Sequence, residues 1–516
     1  MNFVKSLVLG PAAGLIAVSG AQAADLPVKA NPVEYVRICS LYGAGFFYIP
    51  GTDTCIKLAG YLRAETAVDT NTIFLSPYNG LAGAFNRYSN YFTARSREDL
   101  TIDTRTATEY GVLRTFFEAT FSWTTGTLGV SSAGTVLGND QIAGGSLGVY
   151  FAFIQFAGFT MGKAISQFSM PWSNYPANNF DALVGGGGAQ TGVNQLSYTW
   201  QFGNGTSFTL SAQDPYAYYY GGLFNTSFPG VTAANPLSTV IGANFGSTPY
   251  GVPTQGGFVA PDFVAMLRME QAWGLFQASF AAHDNHAGYF TATNELTGHP
   301  GDKWGWAGQL GASFNLPMLG AGDALNISGV YTNGASRYNF QDKGPTTFAM
   351  YGGTSFPGGY QSLGFAQVTD AVFGGTDTRT GLVTGLQLVS TWGMRGGYTH
   401  NWNTYWNTSI FGAWAQASYN DAAKALICRN VAAVAVLGSG FTCNPNFQIG
   451  QIGTKTGWTP VKNLTFSGEI VYSNLDQKYT GAVAIPAIGA LAKPAAVYDL
   501  KDQSTWSFLA RVQRNW

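Results

Sequence analysis

Charge is what this sequence has least of. Asp, Glu, Lys and Arg make up 10% of its 516 residues, where a soluble domain carries about 25%. The net charge is -1, which offers no basic face or tail to a nucleic acid. Long apolar runs are also missing. A spanning helix needs about 18 or more apolar residues in a row. Val431 to Leu437 is too short for that, and Ala482 to Ala492 is broken by Pro486. Cysteine and histidine number four each. There is no C-x-x-C and the histidines lie far from the cysteines, so no metal site is expected. Motifs for chemistry are equally thin. Gly158-Phe159-Thr160-Met161-Gly162-Lys163 misses the phosphate-loop spacing. Gly144-Gly145-Ser146-Leu147-Gly148 fits G-x-S-x-G, but in a glycine-rich loop with no strand-to-helix elbow. His283-Asp284 could be half of a triad, but no serine motif accompanies it. The chain is not expected to be an enzyme or to hold a cofactor.

Glycine (67 residues) and aromatics (15%) are abundant, and mean hydropathy is +0.04. That average is too polar for a helical membrane protein but suits strands with every second residue in water. Gln195 to Gln213 makes the case. Leu196, Tyr198, Trp200 and Phe202 alternate with Gln195, Ser197, Thr199 and Gln201, then Phe208, Leu210 and Ala212 alternate with Ser207, Thr209, Ser211 and Gln213. Gly203-Asn204-Gly205 supplies the positive φ of a tight hairpin. One face of each arm is aromatic and apolar; the other is amide and hydroxyl. That pattern fits lipid on one side and water on the other.

The unit recurs along the chain. Strands are predicted at Ile56–Glu65, Phe92–Thr106, Tyr110–Trp123, Gly148–Phe156 and Phe159–Phe168, then in hairpins to a last strand at Thr505–Trp516. Long and short connections alternate, which predicts an all-β transmembrane antiparallel barrel of about 16 strands. Closure is required, since an open edge in lipid leaves backbone groups unpaired at several kcal/mol each. Met1 to Ala23 reads as an export signal, with Lys5, an apolar core from Leu7 to Val18, and cleavage between Ala23 and Ala24. Residues 24–55 then precede the first strand, and 56–516 form the barrel. In an exported chain the even cysteine count suggests disulfides, Cys39 with Cys55 and Cys428 with Cys443. Four free thiols, or a cross-pairing such as Cys39 with Cys428, remain alternatives.

The densest charge lies on the second and third strands. Arg95, Arg97, Asp99, Asp103 and Arg105 share one parity, and Arg114 and Glu118 also point away from the apolar set. Such a face opposite lipid must line the lumen, because a charge at the bilayer midplane costs roughly 2–4 kcal/mol.

Several stretches resemble the alphaproteobacterial general porins: EYVRICSLYGAGFFYIPGTDTCIKLAGYLRAE (Glu34 to Glu65), ARSREDLTIDTRTATEYGVLRTFFEATF (Ala94 to Phe121), FIQFAGFTMGKAISQF (Phe153 to Phe168), PDFVAMLRMEQAWG (Pro261 to Gly274), WTPVKNLTFSGEIVY (Trp458 to Tyr472) and the terminal RVQRNW. Arg514, two positions before Trp516, departs from the usual apolar alternation at the end of such barrels. The resemblance implies a 16-stranded barrel in the outer membrane of a Gram-negative bacterium. It also implies a homotrimer among outer-membrane lipid and lipopolysaccharide, passing small hydrophilic solutes and ions by passive diffusion. It further implies an inward-folded third loop, here Ser169 to Val193, with Asp181 and the run Gly185 to Gly188. A constriction is then expected where Arg95, Arg97 and Arg114 at mid-height, with Asp99 and Glu118, face Asp181 across the bore; Asp103 and Arg105 are further luminal charges. An adhesin on a barrel scaffold, or a barrel lipid hydrolase, is the alternative.

Overall fold

A computed structural model of the chain describes residues 37–71, 90–125, 145–172, 175–181, 183–187, 191–218, 221–227, 252–290, 295–340, 347–353, 361–376, 383–434, 436–485 and 495–516. The export signal and the Ala23–Ala24 junction lie outside these residues.

Sixteen strands form the wall. They are β1 (Cys55–Asp69), β2 (Phe92–Thr108), β3 (Gly111–Thr124), β4 (Ser146–Phe156), β5 (Phe159–Ala164), β6 (Val193–Gly203), β7 (Thr206–Gln213) and β8 (Asp262–Gln271). The second half continues with β9 (Gly274–Asn285), β10 (Lys303–Asn315), β11 (Ala324–Asn333), β12 (Ser390–Asn401), β13 (Trp406–Ser418), β14 (Phe447–Val461), β15 (Leu464–Gln477) and β16 (Gln503–Asn515). Each pairs antiparallel with the next, and β16 returns to β1 from Tyr61↔Asn515 to Asp69↔Ser507. The hairpin glycines behave as the sequence suggests: Gly203, Asn204 and Gly205 all have positive φ (83°, 47° and 69°). The fifth strand is shorter than expected, ending at Ala164, because the chain there turns into the bore.

Parity sorts the two faces. On β10, Trp304, Trp306, Leu310 and Phe314 point outward while Gln309 is buried inside. Aromatics ring both rims, as the interface favours. Trp406 stacks on Trp458 at 5.8 Å near the short turns, and Tyr331 meets Trp392 at 4.7 Å near the long loops.

Two features were not anticipated. The luminal face of β13 to β15 is apolar over part of its height, with Phe411, Ala415, Phe447, Ile449 and Val471 inside. It is roofed by residues from loops: Leu183 and Val184 from the third loop, Phe340 and Phe348 from the sixth. Phe348 meets Phe447 at 5.3 Å. Each such side chain contributes about 1.5–3 kcal/mol when fully buried. The loops thus carry a core of their own inside the barrel. The second feature is helix α1 (Asp421–Val434), in the long connection between β13 and β14. The Asn420 side chain accepts the Ala423 N–H at 2.8 Å and caps it. Ala423, Leu426, Ile427 and Val431 recur at helical spacing and bury one face.

Candidate pore constriction

The strand register builds a row of alternating charge. Glu65 on β1 stands directly opposite Arg95 on β2 and Arg511 on β16. Arg95 ion-pairs with one Glu65 oxygen, and Arg511 Nε donates to the other at 2.6 Å. The third loop extends the row. Arg95 Nη1 lies 3.3 Å from Asp181 Oδ2, and the Tyr175 hydroxyl donates to the other Asp181 oxygen.

The described residues of that loop cross the bore, pinned on several walls. Gln277 on β9 donates to the Ser169 carbonyl at 3.0 Å, and Asn326 on β11 to that of Pro176 at 2.7 Å. Farther along, the Asn179 and Phe180 N–H groups both donate to Glu469 on β15, and Arg511 Nη2 donates to the Asn179 carbonyl at 2.9 Å. The Val184 N–H reaches Gln451 on β14 at 3.0 Å. Gly185 then runs over β12 with φ +83°; a Cβ there would sit 2.1 Å from the Met394 carbonyl oxygen. Only glycine allows that approach.

Below this row Arg97 faces Arg63, and its Nε donates to Ser122 at 2.9 Å. Asp99 and Glu118 stand side by side. They step down the wall from that row, Glu118 facing Thr101 six residues below Arg95. Arg114 does not join them, which corrects the expected mid-height position. It faces Arg105 three pairs above the hairpin closed by Thr108 and Gly111, about 10 Å along the strand. Arg95 lies ten residues beyond Arg105, about 33 Å up the tilted strand. Asp103 bridges the lower pair, accepting from Arg114 Nη2 at 3.0 Å and from Arg105 Nη2 at 2.9 Å. The luminal charges therefore form two groups, because parity fixes the face of a residue and not its height. Nor does Asp181 face its arginine across open water; the two are in contact.

Glu65, Arg511 and Glu469 were absent from the expected set. Their parity was legible, but the closure of β16 on β1 that unites them was not. Both local cysteine pairs are bridged: Cys39–Cys55 at 2.05 Å and Cys428–Cys443 at 2.01 Å. His283 Nδ1 bonds Asp262 at 2.7 Å rather than Asp284. No serine hydrogen-bonds to that ring among the described residues.

With this geometry in place, similarity is informative. The chain is 36% identical over 213 residues to the porin Omp2b of Brucella suis and of Brucella abortus, a match covering 41% of this chain and 54% of each relative. The chain thus spans about half the length of the curated relatives it matches. The fold resembles the crystal structure of the outer membrane channel DcaP of Acinetobacter baumannii, with a TM-score of 0.54 and 12% identity, covering 91% of this chain and 99% of the other. A family model described as "Porin subfamily" matches residues 25–509. A closed barrel with an apolar outer band, matched so along its length, is a bacterial outer-membrane barrel, and the chain belongs to the porin family.

Proposed function

We propose that the chain forms a water-filled channel for passive diffusion of small hydrophilic solutes and ions. The observation that carries this reading is the luminal wall of β1 to β3. It keeps arginines and carboxylates on the inner face of a closed barrel at two heights, and the third loop narrows the bore beside the upper group. Such charges favour ions only where water reaches them. Arg95, Arg97, Asp99, Glu118 and Asp181 set the upper constriction; Asp103, Arg105 and Arg114 line the exit below it. No catalytic step is assigned. The test is a planar bilayer: stepwise conductance in salt, with a reversal potential in a salt gradient. Insertion without current would overturn this reading.

The functional unit is a homotrimer in outer-membrane lipid and lipopolysaccharide. The outer face supports self-association on one arc. Between β14 and β2 it carries small residues at mid-height (Thr456, Gly468, Ala510, Ala64, Thr66 and Ser96), lining a hollow of about 670 Å³. Glu98 also points outward there, where Trp516 Nε1 donates to it at 3.2 Å. A carboxylate on a lipid face is unfavourable, so a covering subunit suits this arc better than acyl chains. Native mass in mild detergent should be three times that of the heat-denatured chain.

A further inference from the structure

We propose that residues 37–54 form a second selectivity element at the periplasmic end of the pore, one that favours small carboxylate anions. They build a meander leading into β1. The Cys39 N–H donates to the Phe46 carbonyl at 3.0 Å, the Tyr48 N–H to that of Arg37 at 2.9 Å, and the Ile49 N–H to that of Thr54 at 2.9 Å. Phe47 and Tyr48 pair with Ile56 and Cys55 at the start of β1. The Cys39–Cys55 bridge ties the meander's first turn to the strand.

The meander packs on the luminal side. Cys55 and Lys57 have the inward parity of Glu65, and Cys55 faces Arg105. A Cβ at Gly45 would lie 3.3 Å from Lys57 Cε. The rings of Phe46 and Tyr42 cover the Arg105 guanidinium, with centroids 4.9 and 5.8 Å from Cζ. Phe46 itself is buried in a small cluster with both cysteines. The segment therefore fills part of the exit beside the lower charge group.

Three features fit a carboxylate. Arg105 spends Nε and Nη2 on Asp103 and leaves Nη1 without a hydrogen-bond partner among the described residues. Its side chain is 29% exposed. The Tyr42 hydroxyl is buried and also has no partner among the described residues. A guanidinium edge presents N–H donors in the plane a carboxylate needs, and a phenol adds a neutral donor. Against the one luminal carboxylate of this group, Asp103, stand Arg105, Arg114 and Lys57. Anions are thereby favoured at this height.

The inference rests on the pore reading, and the two fail differently. If the wild-type chain passes no current, the pore reading falls. The test here uses full-length protein in planar bilayers, with acetate against chloride under bi-ionic conditions. Two variant pairs are read: C39S/C55S and Phe46→Ala for the wedge, Arg105→Ala and Tyr42→Phe for recognition. Expected results are a higher open conductance in the first pair and a lower acetate-to-chloride permeability ratio in the second. Retained heat-modifiability on gels certifies each barrel. Unchanged conductance in both wedge variants would make the meander a passive staple. An unchanged ratio in both recognition variants would remove the carboxylate preference. Either outcome overturns the proposal.

Discussion

The upper and lower groups of luminal charge use the same residue types and differ in what surrounds them. In the upper row the side chains of Glu65, Arg95, Arg511 and Asp181 are no more than 10% exposed, and each carboxylate accepts from two donors. In the lower group Arg105 and Arg114 are 29% and 27% exposed around a single Asp103. The upper charges are joined to the third loop and to the seam where the barrel closes, so they act as structure. The lower ones face the permeation path. Burial, more than sequence position, separates a charge that holds the barrel from one that greets an ion.

The largest expected effect comes from breaking the upper row. Glu65→Ala leaves Arg95 and Arg511 buried without their shared carboxylate, and removing one partner of a buried pair costs about 3–5 kcal/mol. Urea unfolding of the detergent-solubilised barrel should shift by that order. The same loss after Arg114→Ala would erase the contrast between the two groups. Next comes the loop anchor. Glu469→Ala removes the acceptor of the Asn179 and Phe180 N–H groups, and hydrogen bonds to charged groups contribute about 1.5–3 kcal/mol each. The loop should loosen, seen as a higher and noisier single-channel conductance while the barrel stays folded. Quiet wild-type currents would show that the loop's other hydrogen bonds and apolar contacts hold it without Glu469.

The selectivity variants sharpen the comparison, and at Arg114 they do so with little effect on stability. Arg97→Ala or Arg114→Ala should raise cation over anion permeability, and Asp181→Asn should move it the other way. Partly exposed pairs such as Arg114–Asp103 contribute under about 1 kcal/mol, so heat resistance should be kept in Arg114→Ala. Reversal potentials in a salt gradient read each shift. If all three match wild type, these charges do not set selectivity.

Much of this architecture is legible in the sequence. Strand parity is local, so the inward face of β2, from Arg95 to Arg105, followed from counting residues. Long and short connections alternated visibly, and glycine marked the Gly203–Gly205 turn. What stayed hidden was non-local. The Arg95–Glu65–Arg511 row depends on a closure linking residues 446 positions apart. The apolar patch at Phe411 and Phe447 broke the polar-in rule because loop residues cover it, and no strand pattern reveals its cover. Helix α1 was missed for a different reason. Its signal is local, an Asn420 cap before an alanine-rich run with apolar residues at 423, 426, 427 and 431, but it sits in a connection, where counting strand alternation passes over it.

A third charge cluster separates burial from height. Asp323 closes the turn between β10 and β11, at the same end of the barrel as Arg105, yet its side chain is fully buried like Glu65. It accepts from the Tyr398 hydroxyl at 2.6 Å and the Asn401 N–H at 2.9 Å, and lies 2.7 Å from His400 Nδ1. Burial alone would raise its pKa, but the Tyr398, Asn401 and His400 contacts outweigh that and hold it at about 2, below the ordinary 3.8. A carboxyl depressed in the folded state adds stability that is fully present above its unfolded pKa. That stability is lost as pH falls from 3.8 through about 2. The turn should therefore weaken in that window, and Asp323→Asn should remove this part of the pH dependence while lowering stability at neutral pH. The measurement is the unfolding midpoint in detergent at steps from pH 5 to pH 2, wild type against variant. Parallel curves would mean that the cluster is only a rim contact, and that height rather than burial governs these charges.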